Sequence, residues 1–206
     1  MQPIWYVAYG SNLSRERFRT YLQGGQPDGS GRNYPGCRDT SDELDSFGLL
    51  ITGGVYFAGR SSGWGAGMAF YDPEAPGEVA ARAYLITTEQ FVDVLAQETL
   101  RSPGMALDLT PAFRGDRYSN GIGGYPILVR VGCRRGVPLV TFTRHRSSAS
   151  TLVAPTVLYL AAMATGLREA HGWSLRQIDR YLSALPGCSV EHRLPSADPV
   201  DRPAMT

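Results

Sequence analysis

The chain contains no lysine; all 20 of its basic residues are arginine. Schiff-base catalysis and a phosphate-loop lysine are therefore excluded. Cysteine is scarce. Cys37, Cys133 and Cys188 are odd in number, far apart and form no Cys-x-x-Cys pair, a usage that fits a reduced, cytoplasmic protein. Histidine is as scarce: His145, His171 and His192 fall in no His-x-x-x-His or His-Glu-x-x-His pattern, so a zinc hydrolase or deacetylase finds little support and no metal is expected. No apolar run approaches the length that spans a bilayer. The N-terminus lacks a basic segment followed by an apolar one, so no secretion signal is expected. A net charge of +1 supplies no basic excess for nucleic acid.

What is present describes an ordinary globular chain: 206 residues, 43% hydrophobic, enough for one domain with a sizeable core. The expectation is a single domain over residues 1–190 and a loose, proline-rich tail over 191–206. Ile4–Ala8 reads as a buried strand, and Ser14 as the cap of a following helix that runs to about Gln23. Gly24–Ser46 is rich in Gly, Pro, Ser and Asp and reads as a long surface loop. Phe47–Ala58, Gly65–Tyr71 and Val79–Ile86 read as strands. Glycines 53, 54, 59, 63, 65 and 67 mark either curvature or the approach of a ligand to backbone. Thr87 or Thr88 caps a helix bearing Phe91, Val94 and Leu95. Met105–Gly124 reads as irregular, Tyr125–Gly132 and Val137–Thr143 as a hairpin, Pro155 to His171 as a helix, and Ser174 as the cap of a last one. The sum is an α+β fold, a mixed sheet flanked by helices.

Two places carry chemistry. Tyr9-Gly10-Ser11-Asn12-Leu13 follows the first strand directly. Such a loop can aim several N–H groups at one point and make an anion or oxyanion pocket, or it can be a tight turn into a capped helix. Glu98 lies two helical turns after Phe91 and so shares its side. A glutamate on an apolar face is a candidate for a shifted pKa; the alternative is a frayed helix end where Glu98 is exposed or pairs with Arg101. Competing constellations are weaker. Asp39, Asp42, Glu43 and Asp45 form a charged loop, Ser11 lacks a Gly-x-Ser-x-Gly elbow, and no cysteine has the neighbours of a nucleophile. Arg134-Arg135 and Arg144-His145-Arg146 are short basic clusters that a phosphopantetheine or nucleotide could use.

Tyr9–Leu13 after the first strand resembles the signature loop of the γ-glutamylcyclotransferase-like family, and further matches follow in order. Ala83–Ile86 resembles the strand before that family's catalytic helix. Leu95-Ala96-Gln97-Glu98 resembles its Leu-Asp-x-x-Glu segment, Gly124-Tyr125-Pro126 with Val129 and Val131 a later core strand, and Pro155–Tyr159 its Pro-Ser-Pro-x-Tyr motif. The resemblance spans most of residues 4–185 and implies a small barrel-like sheet flanked by helices. It implies an enzyme in which the α-amine of a γ-glutamyl group attacks its own γ-carbonyl, releasing 5-oxoproline and an amine. It assigns Glu98 as general acid/base. It assigns Tyr9, Gly10, Ser11, Asn12, Leu13 and Tyr125 to substrate binding, with the N–H groups of residues 10–12 on a substrate oxygen. No cofactor is implied. The substrate is a small γ-glutamyl or amino-acyl amide, free or on a carrier protein, and the protein a monomer or homodimer without nucleic-acid or membrane partners. Ala96 replaces the family's aspartate, and Thr99-Leu100 stands where glycine is common. These departures and the long Gly24–Ser46 loop resemble bacterial members of secondary metabolism such as antibiotic biosynthesis. The alternatives are a transamidase of the same fold and a binding module that has lost the chemistry.

Overall fold

A computed structural model describes residues 2–27, 31–60, 63–147 and 150–188; the expected tail over 191–206 and His192 lie outside them. A six-stranded mixed sheet forms the centre, in the order β2 (Asp45–Thr52), β5 (Glu78–Thr87), β1 (Pro3–Ala8), β8 (Val137–Thr143), β7 (Ile127–Arg134), β6 (Arg117–Ser119). All neighbours are antiparallel except β1 and β8, which run parallel. A separate antiparallel pair, β3 (Gly54–Ala58) and β4 (Met68–Asp72), joins the curled sheet where the Thr143 hydroxyl donates to the Tyr71 carbonyl at 2.6 Å. The fold is thus the α+β arrangement expected, a mixed sheet flanked by helices. No helix among the described residues is long and apolar enough to cross a membrane.

β1 explains the layering. Its side chains alternate, as strand geometry requires, and both faces are buried. Ile4, Tyr6 and Ala8 point toward α1 (Arg15–Gln23) and α2 (Thr88–Glu98). Trp5, Val7 and Tyr9 point toward α4 (Val157–His171) and α5 (Leu175–Ser183). A strand covered on both sides reads as an unbroken apolar run, which is what Ile4–Ala8 is.

Local signals place most helix starts. Ser14 caps α1, and Thr87 and Ser174 form capping boxes with Gln90 and Gln177 on α2 and α5. Several boundaries differ from expectation, among them the first hairpin strand, which runs Ile127–Arg134 and not Tyr125–Gly132. Phe47–Ala58 is two strands, because Gly53 adopts φ +131° and turns the chain between β2 and β3. The strand expected from Gly65 begins at Met68. α4 is capped by the Thr156 side chain, with Pro155 outside it. The stretch expected to be irregular, residues 105–124, contains a short helix α3 (Thr110–Arg114) and edge strand β6. The cluster glycines 53, 54, 59, 63, 65 and 67 take no part in the wall of the cavity described below.

Candidate active site

The chain leaves β1 at Tyr9, makes one 3-10 turn over Ser11–Leu13, and enters α1 at Ser14. The turn is held from below. The Tyr84 hydroxyl of β5 donates to the carbonyls of Asn12 (2.8 Å) and Leu13 (3.2 Å), and Arg82 Nη1 donates to Leu13 O at 3.2 Å. Gly10 has a negative φ, −114°, so it is required for closeness rather than conformation. A Cβ there would stand 2.6 Å from the Tyr159 hydroxyl.

This turn forms one wall of a cavity of about 330 Å³, within the range of small-molecule sites. Tyr9, Gly10, Ser11 and Asn12 line it, together with Glu98 and Tyr125. Leu13, expected in the binding set, is not part of the wall. Its side chain is 0% exposed and is buried with Leu160, Met163 and Leu167 of α4, since the 3-10 turn directs it inward.

Glu98 ends α2 on the same side as Phe91, whose ring packs edge-on against Tyr6. Asn12 Nδ2 donates both to Glu98 Oε1 (3.2 Å) and to the Tyr6 hydroxyl (3.3 Å). Glu98 makes no ion pair with Arg101 among the described residues. Burial pushes the Glu98 carboxyl above its usual range. Hydrogen bonds from Tyr21 and Asn12 and the charges of Arg17 and Arg32 oppose that shift without cancelling it. Burial, and then the Glu98 charge, likewise hold the Tyr6 and Tyr125 hydroxyls protonated well above 10. The Tyr9 hydroxyl donates to Phe142 O at 2.8 Å, leaving its ring as cavity wall.

Leu100, the departure noted two residues past Glu98, lines the cavity and is 65% exposed. Its φ of +60° is a left-handed helix cap that glycine adopts without cost and leucine adopts at about 1–2 kcal/mol. Leucine keeps the cap and adds an apolar lip.

Several wall residues escaped the sequence reading. Tyr159 is the most informative. Its hydroxyl oxygen accepts the N–H of Ser11 (3.4 Å) and of Ala69 (3.1 Å). Both lone pairs are engaged, so its own proton remains to donate into the cavity. The Pro155–Tyr159 motif marked this residue, but nothing local assigned it to a site. Arg17, Tyr21, Arg32, Tyr34 and Trp64 also line the cavity. The only local signal there was Arg17 and Tyr21 one turn apart on α1, beside the buried Phe18 and Leu22. Tyr159→Phe is expected to lower unfolding free energy by about 1–3 kcal/mol, the cost of leaving buried backbone donors unpaired, as measured by urea denaturation; an unchanged midpoint would refute this account of the hydroxyl.

The competing constellations lie elsewhere. His171, at the end of α4, sits with Nε2 3.0 Å from Ala81 O and packs on Trp173. Cys37 is buried, its thiol 3.3 Å from Tyr21 O and pushed up to about 12 by burial; Cys133 is exposed. Glu43 and Asp42 pair with Arg15 and Arg19 of α1. Arg134 lies over Phe47, and Arg146 pairs with Asp72 at 3.7 Å. Among the described residues no group of three or more His, Cys, Asp or Glu is placed to hold a metal ion.

No family model matches the chain. A curated protein, histone deacetylase 5 of Arabidopsis thaliana, is 29% identical over 198 residues, covering 87% of this chain and 30% of that protein. The chain thus spans about a third of the relative's length. Among solved structures, a gamma-glutamyl cyclotransferase superposes with a TM-score of 0.49 at 15% identity, covering 93% of this chain and 96% of the other. An uncharacterized human protein gives 0.48 at 16%, with the same coverages. YkqA of Bacillus subtilis gives 0.45 at 17%, covering 90% of this chain and 56% of its own.

Proposed function

We propose that the protein is a cofactor-independent γ-glutamylcyclotransferase-like enzyme with Glu98 as its acid/base. The observation that carries this reading is the placement of Glu98. An acid with a raised pKa lines a cavity of small-molecule size beside the Tyr9–Asn12 turn, hydrogen-bonded to Asn12. Glu98 enters as carboxylate and takes a proton from the substrate's α-ammonium. The freed amine adds to the γ-carbonyl carbon, forming the lactam C–N bond. Collapse of the oxyanion breaks the bond to the departing nitrogen, which takes up the proton from Glu98; the carboxylate then accepts the second proton of the attacking nitrogen, leaving the neutral lactam, and passes it to the released amine, which departs as ammonium. The Tyr159 O–H supplies a preorganised donor for the oxyanion. Tyr125, in the cavity wall and kept protonated, lines the acyl chain. Ring closure is intramolecular, so positioning accounts for much of the rate.

The raised pKa sets a pH dependence. Catalysis begins from the carboxylate, so kcat/KM should rise with pH through an apparent pKa above the usual carboxylate range and then level off. A rate profile from pH 4 to 9 checks this; a rise confined to the ordinary glutamate range near 4.3 would contradict it. The test of the reaction itself is mass spectrometry of the protein with a panel of γ-glutamyl amines. Release of 5-oxoproline is expected. Formation of a new amide with an added external amine, without 5-oxoproline, would instead establish the transamidase.

A further inference from the structure

Arg17 is a buried cation with no acidic partner at ion-pair distance among the described residues. It is 4% exposed, yet it lines the cavity. Its Nη2 donates to the hydroxyls of Tyr34 (2.6 Å) and Tyr21 (3.5 Å), and its Nη1 to Thr20 Oγ1 (3.3 Å). Aromatic faces surround it, with the guanidinium carbon 4.5 Å from the Tyr34 ring centre, 5.0 Å from Tyr21 and 5.4 Å from Trp64. Every one of these partners is neutral. No carboxylate among the described residues lies within ion-pair distance of it, and its buried Nε has no hydrogen-bond partner. Arg32 shares the Tyr34 ring, 4.6 Å from its centre.

Removing a guanidinium from water without a paired anion is costly, and such charges are ordinarily paired. Glu98 acts on Arg17 from beyond ion-pair distance, but it cannot be a standing counterion. In the proposed reaction it becomes neutral when it takes the substrate's proton, and Arg17 is then an uncompensated charge unless the substrate brings an anion. A planar guanidinium also presents donors in the fork geometry that matches a carboxylate.

We infer that Arg17 is a specificity-determining residue that binds a carboxylate of the substrate, with Arg32 beside it adding positive potential. The inference rests on the cyclotransferase reading for the identity of the substrate, though not for the presence of the carboxylate. That carboxylate belongs either to the α-carbon of the glutamyl group or to the departing amine.

The test uses Arg17→Met and Arg17→Lys. Substrates are compared in two pairs: γ-glutamyl-alaninamide against its α-carboxamide, and γ-glutamyl-alanine against γ-glutamyl-alaninamide. In the pair that differs by the carboxylate Arg17 holds, the parent should show KM lower by about tenfold to a hundredfold for the acid, the range of a charge-assisted hydrogen bond. Arg17→Met should erase that difference, and Arg17→Lys should keep part of it. Whichever pair responds identifies the source of the carboxylate. A structural arginine would lower activity on both members of each pair alike; that result overturns the inference.

A second measurement stands apart from turnover. Calorimetry should show glutarate binding the parent at least tenfold more tightly than glutaramide, with the preference lost in Arg17→Met. Should the parent release no 5-oxoproline while this preference holds, the cyclotransferase reading fails and the carboxylate site stands. Equal binding of the two probes by the parent overturns the site, whether or not Arg17→Met folds.

Discussion

Glu98→Gln is expected to reduce kcat by about 10²–10⁴-fold, the usual contribution of a positioned acid/base, in a protein that folds as well as the parent. Glutamine is close to isosteric and can keep a hydrogen bond with Asn12, so the cavity retains its shape while losing its proton acceptor. The variant also reports on stability. The folded-state pKa of Glu98 lies above its unfolded value, so the folded protein binds more protons in the interval between them. Unfolding free energy must therefore fall as pH rises from the ordinary carboxylate range through the raised pKa. The parent should lose stability across that window, and Glu98→Gln should lose less, because burial of its side chain carries no charge. Urea titrations at several pH values measure this alongside turnover. Activity near that of the parent would remove Glu98 from the chemistry.

The second large effect is expected at Gly166, on the opposite side of the Tyr9–Leu13 turn. Helix propensity alone says that alanine within α4 should stabilise by about 1 kcal/mol. The packing says the reverse. A Cβ at Gly166 would fall 2.1 Å from the Leu13 carbonyl carbon and 2.4 Å from both Leu13 Cβ and Ser14 N. Two of these atoms are backbone, and that backbone is held by Tyr84 and Arg82, so no side-chain rotation relieves the contact. Gly166→Ala should cost about 3 kcal/mol, toward the upper end of overpacking effects. It should also move the turn that carries Asn12. Displacement of positioning groups by about an ångström can lower rates a hundredfold, so kcat should fall even where the variant remains folded. Thermal unfolding and turnover together measure both effects; a raised melting temperature would mean that propensity outweighs this contact.

Short-range signals were legible without coordinates. Ser14, Thr87 and Ser174 announce helices because a capping hydroxyl bonds to N–H groups only two or three residues on, and all three caps form. The continuous apolar run of β1 and the β7–β8 hairpin were likewise readable. The break between β2 and β3 was missed because one glycine conformation at Gly53 bends the chain out of the six-stranded sheet within a uniformly apolar stretch. α3 and β6 were missed because five- and three-residue elements are too short to display a period.

For the site, the chain by itself determined the pieces: a turn built of Tyr9-Gly10-Ser11-Asn12 at the end of a buried strand, and an acid on the inner side of a capped helix. Tertiary structure alone decided their relation. Parallel pairing joins β1 to β8 across more than 130 residues of sequence, and Asn12 meets Glu98 over a separation of 86. Tyr159 reaches Ser11 over 148, and Arg17 is caged by rings from Tyr21, Tyr34 and Trp64. No period or cap records such contacts, because they arise from the packing of helices on the two faces of one sheet. The same packing excludes Leu13 from the cavity, admits Tyr159 to it, and leaves Arg17 with no carboxylate among the described residues at ion-pair distance.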